Sequence, residues 1–271
     1  MSLSTWFVIG AGYTGTALAR RLVADDSRVI VTRRDPVTAT RLAGELGCEG
    51  RAVDLARATE PAPSGSIVVC CAPPGDDPAA EIANLVALAA TAHRLVYVSS
   101  TGVYAPGDGA WVDERFPLAP ETASGKKRLA AERALPDEAV ILRAAGIYGP
   151  GRGLAERLRA GTYRIIGDGS AHVSRIHVDD LVEAIVRAGT STITGPVNCA
   201  DDDPAPIGEL ADAVAAALGV PAAARVPRSK VDPEIAGMLA ADRRIANDRM
   251  KRELGVELRH PTARPHPARP T

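Results

Sequence analysis

Val8-Ile9-Gly10-Ala11-Gly12-Tyr13-Thr14-Gly15 sets a GxGxxG between a short apolar run, Trp6–Ile9, and a helical pattern, Tyr13–Ala24. Each glycine has a physical task. Gly10 permits the tight turn, Gly12 lets backbone approach a pyrophosphate, and Gly15 allows close helix–strand packing. Tyr13 and Thr14 open the helix, whose free amides and positive dipole end suit a dinucleotide phosphate.

Working outward, β-rich runs recur at Arg28–Thr32, Ala52–Leu55, Ile67–Cys71 and Leu95–Ser99. Helical patterns at Thr38–Leu46 and Ala79–His93 separate them, followed by a helix at Thr122–Leu135 and a strand at Ala139–Arg143. Such alternation predicts an α/β fold, a Rossmann-type doubly wound parallel sheet over residues 1–150. From about Gly149 the elements shorten: helices at Leu154–Ala160, Asp179–Ala188 and Ile207–Leu218 alternate with strands at Tyr163–Ile166 and Pro196–Cys199. We read residues 151–271 as a small mixed cap lobe interleaved with the last Rossmann elements. Its Pro-, Arg- and His-rich tail, 259–271, is expected to be extended.

The residues ending the second strand choose the cofactor. An acidic residue there commonly accepts hydrogen bonds from an NAD ribose; this chain has Arg33-Arg34 instead. Two guanidinium groups suit the 2′-phosphate of NADP(H). Asp35 follows directly and leaves NAD(H) open.

The formal net charge of −1 provides no basic field for nucleic acid. No run approaches the ~20 apolar residues of a membrane helix, and the N-terminus has no signal-peptide pattern. Four cysteines without CxxC pairing read as reduced packing residues of a cytoplasmic protein. The expected partner is a small-molecule substrate, with a homodimer left open.

The chain resembles the extended short-chain dehydrogenase/reductase family of NAD(P)-dependent epimerases and dehydratases. Besides the glycines, the likeness rests on Val53-Asp54-Leu55, Val98-Ser99-Ser100-Thr101-Gly102-Val103-Tyr104, Ile147-Tyr148-Gly149-Pro150-Gly151 and Ile176-His177-Val178-Asp179-Asp180. It implies that Asp54 and Leu55 face the adenine and that Cys71-Ala72-Pro73 pass under the nicotinamide half. It also implies that Ser100 is the catalytic hydroxyl at the end of a central strand. The family's proton-transfer Tyr and Lys, four residues apart, fall on Ser124 and Arg128, which marks an atypical branch. A serine hydroxyl is far less acidic than a phenol, and a guanidinium does not relay protons. Tyr104 and Tyr148 lie on loops near the crevice and could present a phenol, although packing is their ordinary role.

His172, His177, Asp179 and Asp180 match no recognised metal-ligand spacing, so no metal is expected. Asp179 or Asp180 is expected to cap the following helix. Two functions follow. One is an NADP(H)-dependent oxidoreductase or epimerase-like protein acting on a carbonyl, alcohol or sugar-nucleotide-like ligand; the other is a non-catalytic NADP(H)-sensing or partner-binding protein.

Overall fold

The computed structural model describes residues 4–232, 234, 236–237 and 241–265. Seven strands form one parallel sheet: β1 (Thr5–Ile9), β2 (Arg28–Arg33), β3 (Glu49–Ala52), β4 (Ile67–Cys70), β5 (Arg94–Ser100), β6 (Val140–Ala144) and β7 (Gly195–Cys199). Their order is β7-β6-β5-β4-β1-β2-β3, and every neighbouring pair is parallel. The chain reverses its direction of winding between β1 and β4. Ligands of open α/β sheets bind at the carboxyl edge beside such a switch point.

Near-continuous apolar runs such as Ile67-Val68-Val69-Cys70 are buried on both faces of the sheet, as a doubly covered strand requires. Helices α1 (Tyr13–Ala24), α2 (Pro36–Leu46), α3 (Pro78–Leu88) and α4 (Ala123–Ala134) supply much of that cover, followed by α5 (Leu154–Arg159), α6 (Val178–Thr190), α7 (Ile207–Leu218) and α8 (Asp248–Leu254). Helix α6 buries Leu181, Val182, Ile185 and Ala188 at helical spacing against α1 and the sheet. A separate apolar cluster, including Leu158, Tyr163, Ile165, Leu210 and Val214, holds α5 and α7 together.

Two strands differ from expectation. The third lies at Glu49–Ala52 rather than Ala52–Leu55. It is a polar edge strand with no hydrophobic signal, held in place because Gly50 sits where a Cβ would come within 2.7 Å of the Ala39 carbonyl. The segment Pro196–Cys199, assigned to the cap, is instead part of the outermost strand of the main sheet, paired with β6. A short apolar run carries no local mark of which sheet it joins.

Helix α6 is capped by neither aspartate. The imidazole of His177 accepts from the Asp179 N–H at 3.2 Å, which frees Asp180 to receive the Arg259 and His260 amides at 2.8 and 3.0 Å. The tail is therefore tied down as far as Arg264, which pairs with Asp203 at 2.9 Å. The remainder of the expected extended tail, 266–271, lies outside the described residues.

Candidate functional site

At the carboxyl edge of β1, Gly10 adopts φ +75°, and a Cβ there would lie 2.7 Å from the Ala72 backbone nitrogen. A Cβ on Gly15 would lie 2.7 Å from the Gly10 carbonyl. Gly12 differs, because a Cβ there meets only the Gly10 oxygen, at 3.9 Å. The space beside Gly12 is open, and Gly12 caps α1 without a side-chain hydrogen bond. First-turn amides thus face that opening, as an anion cradle requires. The Tyr13 hydroxyl donates to the Pro150 carbonyl at 3.1 Å, joining the glycine loop to the 149–151 turn, and Thr14 is buried in the first turn.

A cleft of about 820 Å³ is lined by Gly12, Tyr13, Thr16, Arg33, Pro150 and Asp179, among others. Arg33 closes β2 there, with its Nε buried and unpartnered. Asp35, the residue that leaves NAD(H) open, is engaged elsewhere. Its carboxylate accepts from the Thr38 hydroxyl and, capping α2, from the Thr38 N–H at 2.7 Å, and these bonds hold it below the usual carboxylate range. Arg34 is exposed on the same turn. The Val53 N–H donates to the Arg33 carbonyl, which brings Asp54 and Leu55 beside this edge; the Asp54 carboxylate accepts from the Ala56 N–H. Cys71 donates to the Ile9 carbonyl and Ala72 abuts Gly10, so Cys71-Ala72-Pro73 leaves the sheet against the glycine loop. These residues fit a dinucleotide: open backbone amides, an orphaned guanidinium nitrogen and a free strand edge converge there.

A second cavity, of about 360 Å³, opens where β5 ends against the segments around 172–175 and 241–245. Ser100, Ser124 and Arg128 line it from the Rossmann side; His172, Ser174, Arg175 and Arg243 line it from the other. The Ser100 Oγ accepts from the Gly102 N–H at 3.1 Å. Ser124 donates to Glu234, whose carboxylate also receives the Ala123 and Ser124 amides at 2.7 and 2.9 Å. Arg128 donates to the Val98 carbonyl at 2.8 Å and stacks toward Tyr97. Neither candidate phenol reaches the cavity with its hydroxyl. Tyr104 is 1% exposed, with its hydroxyl donating to Asn198 at 2.7 Å and accepting from Arg143 at 3.0 Å. Burial pushes that phenol up to about 12. The Tyr148 hydroxyl donates to the Thr262 carbonyl, and burial raises its pKa as well.

Sequence reasoning passes over two side chains here, one in the cavity wall and one that engages Ser124. His172 was weighed only as a metal ligand. Its Nδ1 lies 2.8 Å from Asp242 Oδ1, which also accepts the His172 backbone N–H at 2.7 Å. Asp242 holds this position from a left-handed backbone, φ 40°, a conformation that aspartate tolerates better than most non-glycine residues. The second is Glu234. Pairings across 70 and 110 residues leave no signal in the sequence.

His177, Asp179 and His260 bring one potential ligand atom each to within 4.8 Å of one another. The two imidazoles, however, stack face to face at 3.6 Å, 25° from parallel, and His177 Nδ1 is engaged as the cap of α6. Their in-plane lone pairs therefore run side by side instead of converging on one ion.

Among the described residues no helix is long and apolar enough to cross a membrane. The profile of the NAD dependent epimerase/dehydratase family matches residues 6–200. A curated relative, 3-diazoavenalumate denitrifying reductase of Streptomyces sp, is 34% identical over 200 residues. That match covers 66% of this chain and 65% of the relative, so the chain spans just under two thirds of that protein's length. A functionally unknown conserved protein of Silicibacter pomeroyi is 33% identical, with TM-score 0.82 over 96% of this chain and 95% of that one. Human epimerase family protein SDR39U1, solved with NADPH, shares the fold at TM-score 0.77 and 22% identity, covering 96% of each chain. With the dinucleotide cradle at the β1–β4 switch point and a profile match over most of its length, the chain belongs to the NAD dependent epimerase/dehydratase family.

Proposed function

We propose that this protein is an NADP(H)-dependent oxidoreductase that reduces a carbonyl compound in the cavity at the carboxyl end of β5, with residues 1–150 as its nucleotide-binding lobe and 151–271 as a small cap lobe interleaved with the Rossmann elements α6 and β7. The observation that carries this reading is that Ser100, Arg128 and the His172–Asp242 pair share one cavity at the carboxyl edge of the sheet that bears the glycine loop. The name of the Streptomyces relative favours reduction, and four free cysteines, two of them buried, favour a cytoplasmic setting.

Gly12, Tyr13 and the first turn of α1 would hold the pyrophosphate, and Arg33 with Arg34 the 2′-phosphate. The bound cofactor supplies hydride to the carbonyl carbon. Ser100 orients the substrate oxygen by a hydrogen bond. His172 gives its Nε2 proton to the alkoxide that forms, while Asp242 holds Nδ1–H and stabilises the imidazolium before transfer. An imidazole is the side chain suited to proton transfer near neutral pH, which answers the loss of the family's Tyr and Lys.

Replacing His172 by Gln is expected to lower kcat by about 100-fold or more, with a smaller change in KM, the usual scale for losing a general acid. NADPH oxidation in stopped flow measures it; an unchanged kcat sinks the assignment. For the cofactor, NADPH is expected to bind more tightly than NADH. Arg33→Ala should narrow that preference by about 1–3 kcal/mol, the scale of charge-assisted hydrogen bonds. Equal dissociation constants in the unmodified protein would contradict the phosphate assignment.

The second reading, a sensor of NADP(H) without turnover, is favoured by the pairing of Ser124 with Glu234 and by the burial of the Tyr104 hydroxyl. It requires tight NADPH binding with no oxidation across a broad carbonyl panel.

A further inference from the structure

The cavity between β5 and the cap lobe carries more positive charge than it neutralises. Arg128, Arg175 and Arg243 all line it. Arg243 reaches the Thr101 and Tyr104 carbonyls at 2.8 and 2.7 Å, and Arg128 reaches the Val98 carbonyl. These partners are neutral, and among the described residues none of the three arginines is ion-paired. The carboxylates nearby are otherwise engaged. Asp242 is taken by His172 and Glu234 by the start of α4; among the described residues Glu121 is the one acid lining the cavity, and its field reaches Arg243 without an ion pair, leaving one carboxylate against three guanidiniums.

Arg175 follows Ser174 in the chain, and the Ser174 hydroxyl donates to the Arg243 carbonyl at 3.4 Å, so all three residues meet at this wall. Burial pulls the pKa of both guanidiniums down, which registers charge removed from water. Asp201, whose field reaches Arg175, makes no ion pair with it, and burial pushes that carboxyl up to about 8. Desolvated cations without a counter-ion are costly, and in a ligand cavity the counter-ion is supplied by the ligand.

We propose that the Arg175–Ser174–Arg243 wall binds a carboxylate on the substrate, so that the protein's substrates are compact oxo acids. A planar carboxylate matches guanidinium forks bidentately. The cavity, about 360 Å³, sits at the small end of the ~300–1,000 Å³ range of ligand pockets, which favours a short acid over a nucleoside diphosphate sugar. With its carboxylate on this wall, the oxo group lies in the same enclosure as Ser100 and His172. The proposal rests on the reductase reading of this cavity.

The test compares short aliphatic and aryl 2-oxo and 3-oxo acids, benzoylformate among them, with their methyl esters and with dihydroxyacetone phosphate. Binding is measured by calorimetry on the full protein with NADP⁺ present, and turnover by NADPH oxidation. At least one acid is expected to bind about tenfold or more tightly than its ester, and Arg175→Gln should narrow that ratio. Equal affinity of acids and esters, or binding of no acid, overturns the proposal. Tighter binding of the phosphate ester than of every acid overturns the carboxylate assignment. Acid binding that persists without NADPH oxidation supports the anion wall while failing the reductase reading, so the two are separable. The acid–ester comparison on the unmodified protein stands even if Arg175→Gln does not fold.

Discussion

Gly12→Val should abolish measurable NADPH binding in a protein that still folds. The structure makes this a sharp expectation, because the three glycines of the loop are not equivalent. A Cβ on Gly10 or Gly15 collides with backbone at 2.7 Å, so substitution there distorts the loop itself. A Cβ on Gly12 meets nothing closer than 3.9 Å, and the side chain projects into the space over the first turn of α1. Branched carbons there hold a pyrophosphate away from the amides that would neutralise it. A loss of about 100-fold or more in affinity is expected, equivalent to ~3 kcal/mol. Calorimetry with NADPH, alongside a thermal melt without ligand, checks both halves. Unchanged binding in a folded variant would remove the glycine loop from the cofactor site. Gly15→Ala should instead lower the melting temperature.

A second large effect is expected at Glu132. It lies on α4, four residues after Arg128. In the structure it is a core residue: its carboxylate meets Arg143 at 2.7 Å, with both side chains 4% exposed. Ser99 donates to the same carboxylate, and Arg143 continues to Tyr104, whose hydroxyl meets Asn198. Strands β5, β6 and β7 are thereby locked to α4 through one polar network. Glu132→Ala strands the Arg143 charge and is expected to cost about 3–5 kcal/mol, the scale of a broken buried pair. For a chain of this size that corresponds to a fall of roughly 10 °C in Tm. Urea denaturation measures the loss, and a cost below ~1 kcal/mol would show that the network contributes little. Replacing Arg143 by Leu in the same variant should recover part of the loss, since no uncompensated charge then remains.

Much of the architecture was legible. Helix and strand periodicities placed β1, β2, β4, β5 and β6 within a few residues, because the burial of each depends on apolar residues adjacent in the chain. The third strand escaped because Glu49-Gly50-Arg51 is polar, and it is held by α2 packing on Gly50. Where the Asp35 carboxylate points was a matter of local geometry: the Thr38 N–H claims it as a helix cap. The phenols depended on structure in a different way. Their loops do lie at the crevice, but which way a hydroxyl points depends on distant partners: Asn198 for Tyr104 and Thr262 for Tyr148.

By itself the sequence determined the doubly wound sheet, the glycine loop, the arginines that end β2 and the absence of the family's Tyr and Lys from α4. All of these are encoded in residues a few positions apart, through hydrogen-bonded turns and helical or strand periodicity. Tertiary structure alone decided the partners of the residues at the cavity: Glu234 on Ser124, Asp242 on His172, and Arg243 on the carbonyls of Thr101 and Tyr104, across separations of 110, 70 and 142 residues for the Ser124, His172 and Thr101 pairings. Such pairings form only when the cap lobe folds back over the sheet, and no local pattern records where a returning chain sets its side chains down.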